Sequence, residues 1–101
     1  MMLTGAQVME IFREYLEQES CIEIVKTRWG YVRLFYEEPY DSSFEAALCR
    51  TPKELFSELL ENLLASQEYR LATEEGKTEK EVMKELEQIR ERYIEKWKKK
   101  Q

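Results

Sequence analysis

The spacing of apolar residues changes period twice along this chain, and that change constrains the fold more than any other feature. Val8, Ile11, Phe12, Tyr15 and Leu16 recur every three or four residues, which is the period of one helix face. From Cys21 the period drops to two. Ile22 and Ile24 alternate with Glu23 and Val25, and after Gly30 the residues Val32, Leu34 and Tyr36 alternate with Arg33 and Phe35. That alternation predicts an antiparallel β-hairpin. From Leu55 onward the helical period returns. Leu55, Phe56, Leu59, Leu60, Leu63 and Leu64 form one broad stripe, and Val82, Leu86, Ile89, Tyr93 and Trp97 form another.

Capping residues set the helix boundaries. Thr4 stands three residues before Gln7, the spacing at which each side chain satisfies a first-turn N–H of the other residue. This places an N-terminal helix at about residues 5–18. Thr51-Pro52-Lys53-Glu54 joins a capping Thr to a Pro at the first helical position, where its missing N–H costs nothing. The helix it starts stops near Gly76, a natural residue to follow a helix. Thr78 to Glu81 repeats the capping-box spacing, and the last helix runs close to the C-terminus, roughly 30 Å at ~1.5 Å per residue. The short link at Gly76–Lys77 makes the last two helices antiparallel neighbours.

Two details of the hairpin region are expectations for the structure. A three-residue loop, Arg28–Trp29–Gly30, would pair Ile24 with Leu34, Ile22 with Tyr36 and Lys26 with Val32. That register gathers the aliphatic residues on one face, as a half-buried sheet requires. Residues 44–50 fit a third strand, with Phe44, Ala46 and Leu48 alternating against Glu45, Ala47 and Cys49, although the alanines and Glu45 suit a helix as well. The whole reads as one α+β domain over residues 1–101. It has an N-terminal helix, then an antiparallel β-hairpin or three-stranded meander, then two long C-terminal helices packed as an antiparallel hairpin.

Composition narrows the function classes. The 43% hydrophobic fraction is that of a globular chain, while 37% charged residues require a densely charged surface. A net charge of −5 disfavours nonspecific attraction to nucleic acid or anionic membrane, and no stretch approaches the length of a membrane span. Cys21 and Cys49 are the only cysteines. They make neither a disulfide framework nor a zinc pattern, and read as buried thiols of a cytoplasmic protein.

Little in the sequence points to catalysis. Histidine is absent, so the commonest general base and imidazole metal ligation are absent too. The three glycines form no phosphate loop, and Asp41 is the only aspartate. Glu23, Glu37 and Glu38 near the hairpin are the least ordinary carboxylates, and Cys49 precedes a helix N-terminus, which can depress a thiol pKa. Neither pattern carries the partner groups that catalysis needs. No catalytic residue, metal site or cofactor is assigned.

The aromatic residues of the hairpin are more suggestive. Trp29 sits at the predicted tip beside Arg28 and Tyr31, with Phe35 and Tyr40 extending the patch. Trp, Tyr and Arg are the types enriched at binding hot spots. The expected function is therefore a small non-enzymatic interaction or regulatory protein that binds another protein through Arg28, Trp29, Tyr31, Phe35 and Tyr40. The bland alternative folds Trp29 back over a helix. A second reading is a nucleic-acid-binding module using Arg90, Arg92, Lys96, Lys98, Lys99 and Lys100 at the basic end of the last helix. The length of the Val82–Trp97 stripe also raises homodimerisation through that helix.

Overall fold

The computed structural model describes residues 3–36 and 44–101. Its elements run α1 (Gly5–Ile11), α2 (Arg13–Gln18), β1 (Ile22–Thr27), β2 (Gly30–Tyr36), β3 (Phe44–Cys49), α3 (Pro52–Tyr69), a π-helical turn (Arg70–Glu74) and α4 (Glu79–Lys100). The ambiguous segment is thus the third strand, and the α+β order anticipated from the periodicity holds.

Each expected cap is present. Gln7 N–H donates to Thr4 Oγ1 at 3.2 Å while Thr4 N–H donates to Gln7 Oε1 at 2.9 Å. Glu54 N–H donates to Thr51 Oγ1 at 3.1 Å, and Glu81 N–H to Thr78 Oγ1 at 3.3 Å. Each cap contributes ~1 kcal/mol by pairing an N–H that has no helical acceptor. The first helix is interrupted once. Phe12, at φ −99° and ψ 14°, joins α1 to α2 and turns its ring into the core, where it is fully buried.

Aromatic contacts hold the helices together. Phe12 stacks on Tyr93 of α4 at 4.9 Å between centroids and meets Phe56 of α3 at 5.5 Å. Phe56 in turn meets Trp97 at 4.8 Å. Because Trp97, near the end of α4, lies on Phe56, near the start of α3, the two helices run antiparallel. Leu86, Ile89, Tyr93 and Trp97 pack against the core, so the long stripe of α4 is used within the molecule. The π-helical turn keeps Leu71 inward at 3% exposure, and Gly76, at φ 62°, ends the helix.

The three strands lie in the order β1-β2-β3, and the register corrects the expectation. The hairpin loop has two residues, Arg28 and Trp29, and Gly30 pairs with Thr27 inside the ladder. Ile24 therefore faces Arg33, Ile22 faces Phe35 and Lys26 faces Tyr31. This is a one-residue slip from the aliphatic register, and it reverses both faces of β2. Thr27 secures the tight turn, its Oγ1 accepting from Trp29 N–H and donating to Gly30 O, each at 3.2 Å. Gly30 is needed in the ladder on two counts. Its φ is +137°, and a Cβ there would overlap the carbonyl oxygen of Cys49 at the end of β3.

The inner face therefore carries Ile22 and Ile24 of β1, Tyr31, Arg33 and Phe35 of β2, and Ala47 and Cys49 of β3. It packs on α1 and α3. Tyr31 lies so close to α1 that a side chain at Gly5 would overlap its ring. Arg33, predicted outside, is only 4% exposed. What makes its burial tolerable is a pair of carboxylates. Its Nη2 donates to Glu58 of α3 at 2.8 Å and to Glu45 of β3 at 3.1 Å. A buried guanidinium without them would be strongly destabilising.

Candidate functional site

The reversed register separates the five residues that the sequence grouped. Arg28 and Trp29 stay together at the hairpin tip, with the Arg28 guanidinium 5.5 Å from the Trp29 ring centroid. Trp29 is 70% exposed and closes no core. Tyr31 faces α1, and Phe35 lies at the far end of β2 on the inner face. Five residues of strand put roughly 16 Å between Gly30 and Phe35, so Phe35 does not extend the tip. Tyr40, like Glu37 and Glu38, lies outside the described residues.

What the slip exposes instead is an apolar outer face. Val25, Val32 and Leu48 share one cross-strand row, Leu34 and Ala46 the next beside Glu23, and Tyr36 and Phe44 the last. Phe44 is 57% exposed and Leu48 47%. Tyr36 meets the Phe44 ring edge-on at 5.9 Å and donates its hydroxyl to Glu23 Oε2 at 3.1 Å, so that carboxylate is structurally engaged. The bond to Glu23 raises the Tyr36 pKa above its ordinary value. Val25, Val32, Leu34, Phe44 and Leu48 all stand outside the hydrophobic core that the helices close. Sequence reasoning missed it because Val32, Leu34 and Tyr36 look like core positions. The signal that could have found it is Gly30: a glycine read as ladder rather than loop moves the whole of β2 by one residue.

The inner face opens at its Phe35 end into a cavity of about 460 Å³ between β2 and α3. Arg33, Phe35, Glu45, Glu58, Asn62 and Tyr69 line it, with Tyr15 and Glu19 contributed from the N-terminal helical region. Burial, reinforced by the nearby Glu19 carboxylate, pushes the Tyr15 phenol well above its usual range. The phenol stays protonated near neutrality. Arg33 Nε and Asn62 Oδ1 are both buried without a hydrogen-bond partner among the described residues.

The remaining sequence candidates resolve simply. Cys49 is 2% exposed, and burial followed by the charges of Glu58 and Glu54 pushes its thiol pKa up. The helix N-terminus beyond it does not produce a thiolate. Cys21 is half-buried rather than buried, and both thiols are unpaired. Lys98, Lys99 and Lys100 occupy the last turn of α4, where cations complement the helix dipole.

Comparison with protein-family models, with curated proteins and with solved structures finds no match for this chain. No helix is long and apolar enough to cross a membrane among the described residues. Within the same residues, no group of three or more His, Cys, Asp or Glu side chains is placed to hold a metal ion.

Proposed function

We propose that the chain is a non-enzymatic interaction protein that binds another protein through the outer face of its sheet and the tip of its hairpin. One observation carries this reading. Val25, Phe44 and Leu48 stand exposed on a face whose remaining positions are also mainly apolar. Solvated sheet faces normally alternate to polar residues, and contiguous apolar patches mark interaction sites.

The size of the face bounds the kind of complex. Strands ~4.8 Å apart and about six residues long present roughly 300 Å². A stable interface needs ~800 Å² on each partner. The partner therefore also engages the neighbouring tip, where Trp29 supplies a large hydrophobic anchor, or the complex is transient. A second copy of the chain could meet the same face, or α4, whose stripe is only partly buried against the core. The two unpaired thiols suit a reducing compartment such as the cytoplasm.

The test is crosslinking capture from the native cell with wild-type bait and with Trp29→Ala and Leu48→Glu baits. Both positions are exposed, so the melting temperature should hold. The reading requires that the crosslinked partners of the wild-type protein disappear with both variants. Identical partner sets for all three baits would refute it, and sedimentation distinguishes a second copy from a different protein.

A further inference from the structure

β3 is an edge strand, and no strand lies along its outward edge among the described residues. The ladder fixes which backbone groups stand there. Tyr36 N–H donates to Cys21 O at 2.8 Å, and antiparallel strands bond through alternate residues. The even-numbered residues of β2 thus bond β1, while Tyr31, Arg33 and Phe35 bond their partners Cys49, Ala47 and Glu45 of β3. Phe44, Ala46 and Leu48 therefore turn their N–H and C=O groups outward. The next outward N–H, that of Arg50, donates to Glu54 Oε2 at 2.7 Å, so the open stretch ends where α3 begins.

Proteins blunt such edges with lysine, proline or a bulge. The opposite edge, β1, carries Lys26. β3 has none of these devices. Its register with β2 is unbroken from Phe44 to Cys49, and Glu45 is its only charged residue. Phe44, Ala46 and Leu48 also expose their side chains, so an added strand meets free backbone groups and apolar surface together. A groove of about 500 Å³ lies between the end of β3 and α3, lined by Leu48 and Ser57 with Lys53, Glu54, Glu58 and Glu61. With Glu45, the inner side of this edge holds four carboxylates against Lys53 and the buried Arg33.

We propose that β3 binds an extended peptide segment as a fourth, antiparallel strand, and that the segment alternates apolar and basic residues. The proposal rests on the protein-binding role of the outer face and names the partner's chemistry. Directly opposite residues of an antiparallel pair share a face. The apolar residues of the guest lie beside Phe44, Ala46 and Leu48 and widen the apolar face by one strand, ~4.8 Å. The intervening residues point to the side of Glu45 and α3, where the charge favours lysine or arginine. A second copy of β3 fits this edge poorly, because its own Glu45 and α3 carboxylates would meet the same groups across the symmetry axis. In strand addition the main-chain bonds supply affinity and the alternate side chains supply specificity.

The experiment titrates the full chain with a peptide as long as β3, six residues, alternating valine and lysine, and follows amide shifts and fluorescence anisotropy. Saturable binding is expected, with shifts at Phe44, Ala46 and Leu48. In the proposed ladder the valine N–H groups face β3 and the lysine N–H groups face solvent. N-methylation of the valines should therefore weaken binding at least about tenfold, and N-methylation of the lysines should leave it within about twofold. Exchange of lysine for glutamate should also weaken it at least about tenfold. Ala46→Pro removes the central outward N–H and no bond to β2, so binding should fall about tenfold at an unchanged melting temperature. Should that variant unfold, the two methylated peptides still decide. The proposal fails if the valine–lysine peptide does not saturate, if the two methylated peptides bind alike, or if the glutamate peptide binds as well. An Ala46→Pro bait in the capture experiment separates this proposal from the protein-binding role. Partners lost with Leu48→Glu but kept by folded Ala46→Pro overturn strand addition alone.

Discussion

Replacing Glu58 by Met while leaving Arg33 in place strands a guanidinium inside the protein. Arg33 is 4% exposed, whereas its partners Glu58 and Glu45 have side chains 25% and 79% exposed. The three groups are therefore not equivalent. At an effective dielectric of ~20, charges ~4 Å apart attract by about 4 kcal/mol, most of which offsets the cost of desolvation. Removing Glu58 leaves only the exposed Glu45, and exposed pairs contribute ~0–1 kcal/mol. A stranded buried charge costs about 3–5 kcal/mol, and the residual contact to Glu45 puts Glu58→Met near the lower end, about 3 kcal/mol. Arg33→Met is milder. It leaves Glu58, which water can reach through the cavity, and methionine keeps the buried stem, for a loss of about 1 kcal/mol. The double variant removes both charges together and should cost no more than Arg33→Met alone. Urea titrations give these differences directly. Thermal melts should show Glu58→Met lower by roughly 12–24 °C, taking ~4–8 °C per kcal/mol for a domain of this size. The reasoning is refuted if the two single losses simply add, or if Arg33→Met is the more damaging change.

Three further outcomes follow from the same structure. Gly30→Ala must tolerate a φ of +137° and an overlap with the Cys49 carbonyl, so urea unfolding should show a loss of at least ~1–3 kcal/mol. Tyr15 and Tyr93 both have phenol pKa values raised first by burial. Their contribution to stability is complete below the unfolded value of ~10 and is lost as pH rises through the higher folded values. Phenolate absorbance from these two should rise together with the loss of helical circular dichroism, while Tyr36, held by Glu23 at the surface, should ionise in the folded protein. A thiol reagent should modify half-buried Cys21 rapidly and Cys49 only after denaturant is added, because Cys49 is 2% exposed with a raised pKa.

The helices were legible because their signals are local. Thr4 with Gln7, Thr51 with Pro52, and Thr78 with Glu81 each act within one turn, and all appear where expected. The third strand was legible from alternation, though a helix fitted it equally well until β2 supplied a neighbour. The register of β2 was not legible, because three distant facts decide it. The end of β3 leaves no room for a side chain at Gly30, α1 approaches Tyr31 at Gly5, and Glu58 waits on α3 for Arg33. No window of sequence around the hairpin contains these facts. The same slip hid both candidate sites, since it moved Val32 and Leu34 outward and drew Arg33 and Phe35 toward the cavity. Trp29 is exposed in either register because a loop residue belongs to neither face.

The stack of Phe12 on Tyr93 bears on how the chain reaches this state. Every strand pairing joins sequence neighbours, and α3 and α4 are joined by a short link, so most of the structure can form from nearby segments at little loop-closure cost. The N-terminal helical region reaches α4 across a long stretch of sequence, whereas its contact with Phe56 of α3 is nearer. Closing the longer loop costs more entropy, so docking on α4 follows docking on α3. On a ribosome Phe12 can meet Phe56 first, and the stack with Tyr93 forms only once that residue has emerged.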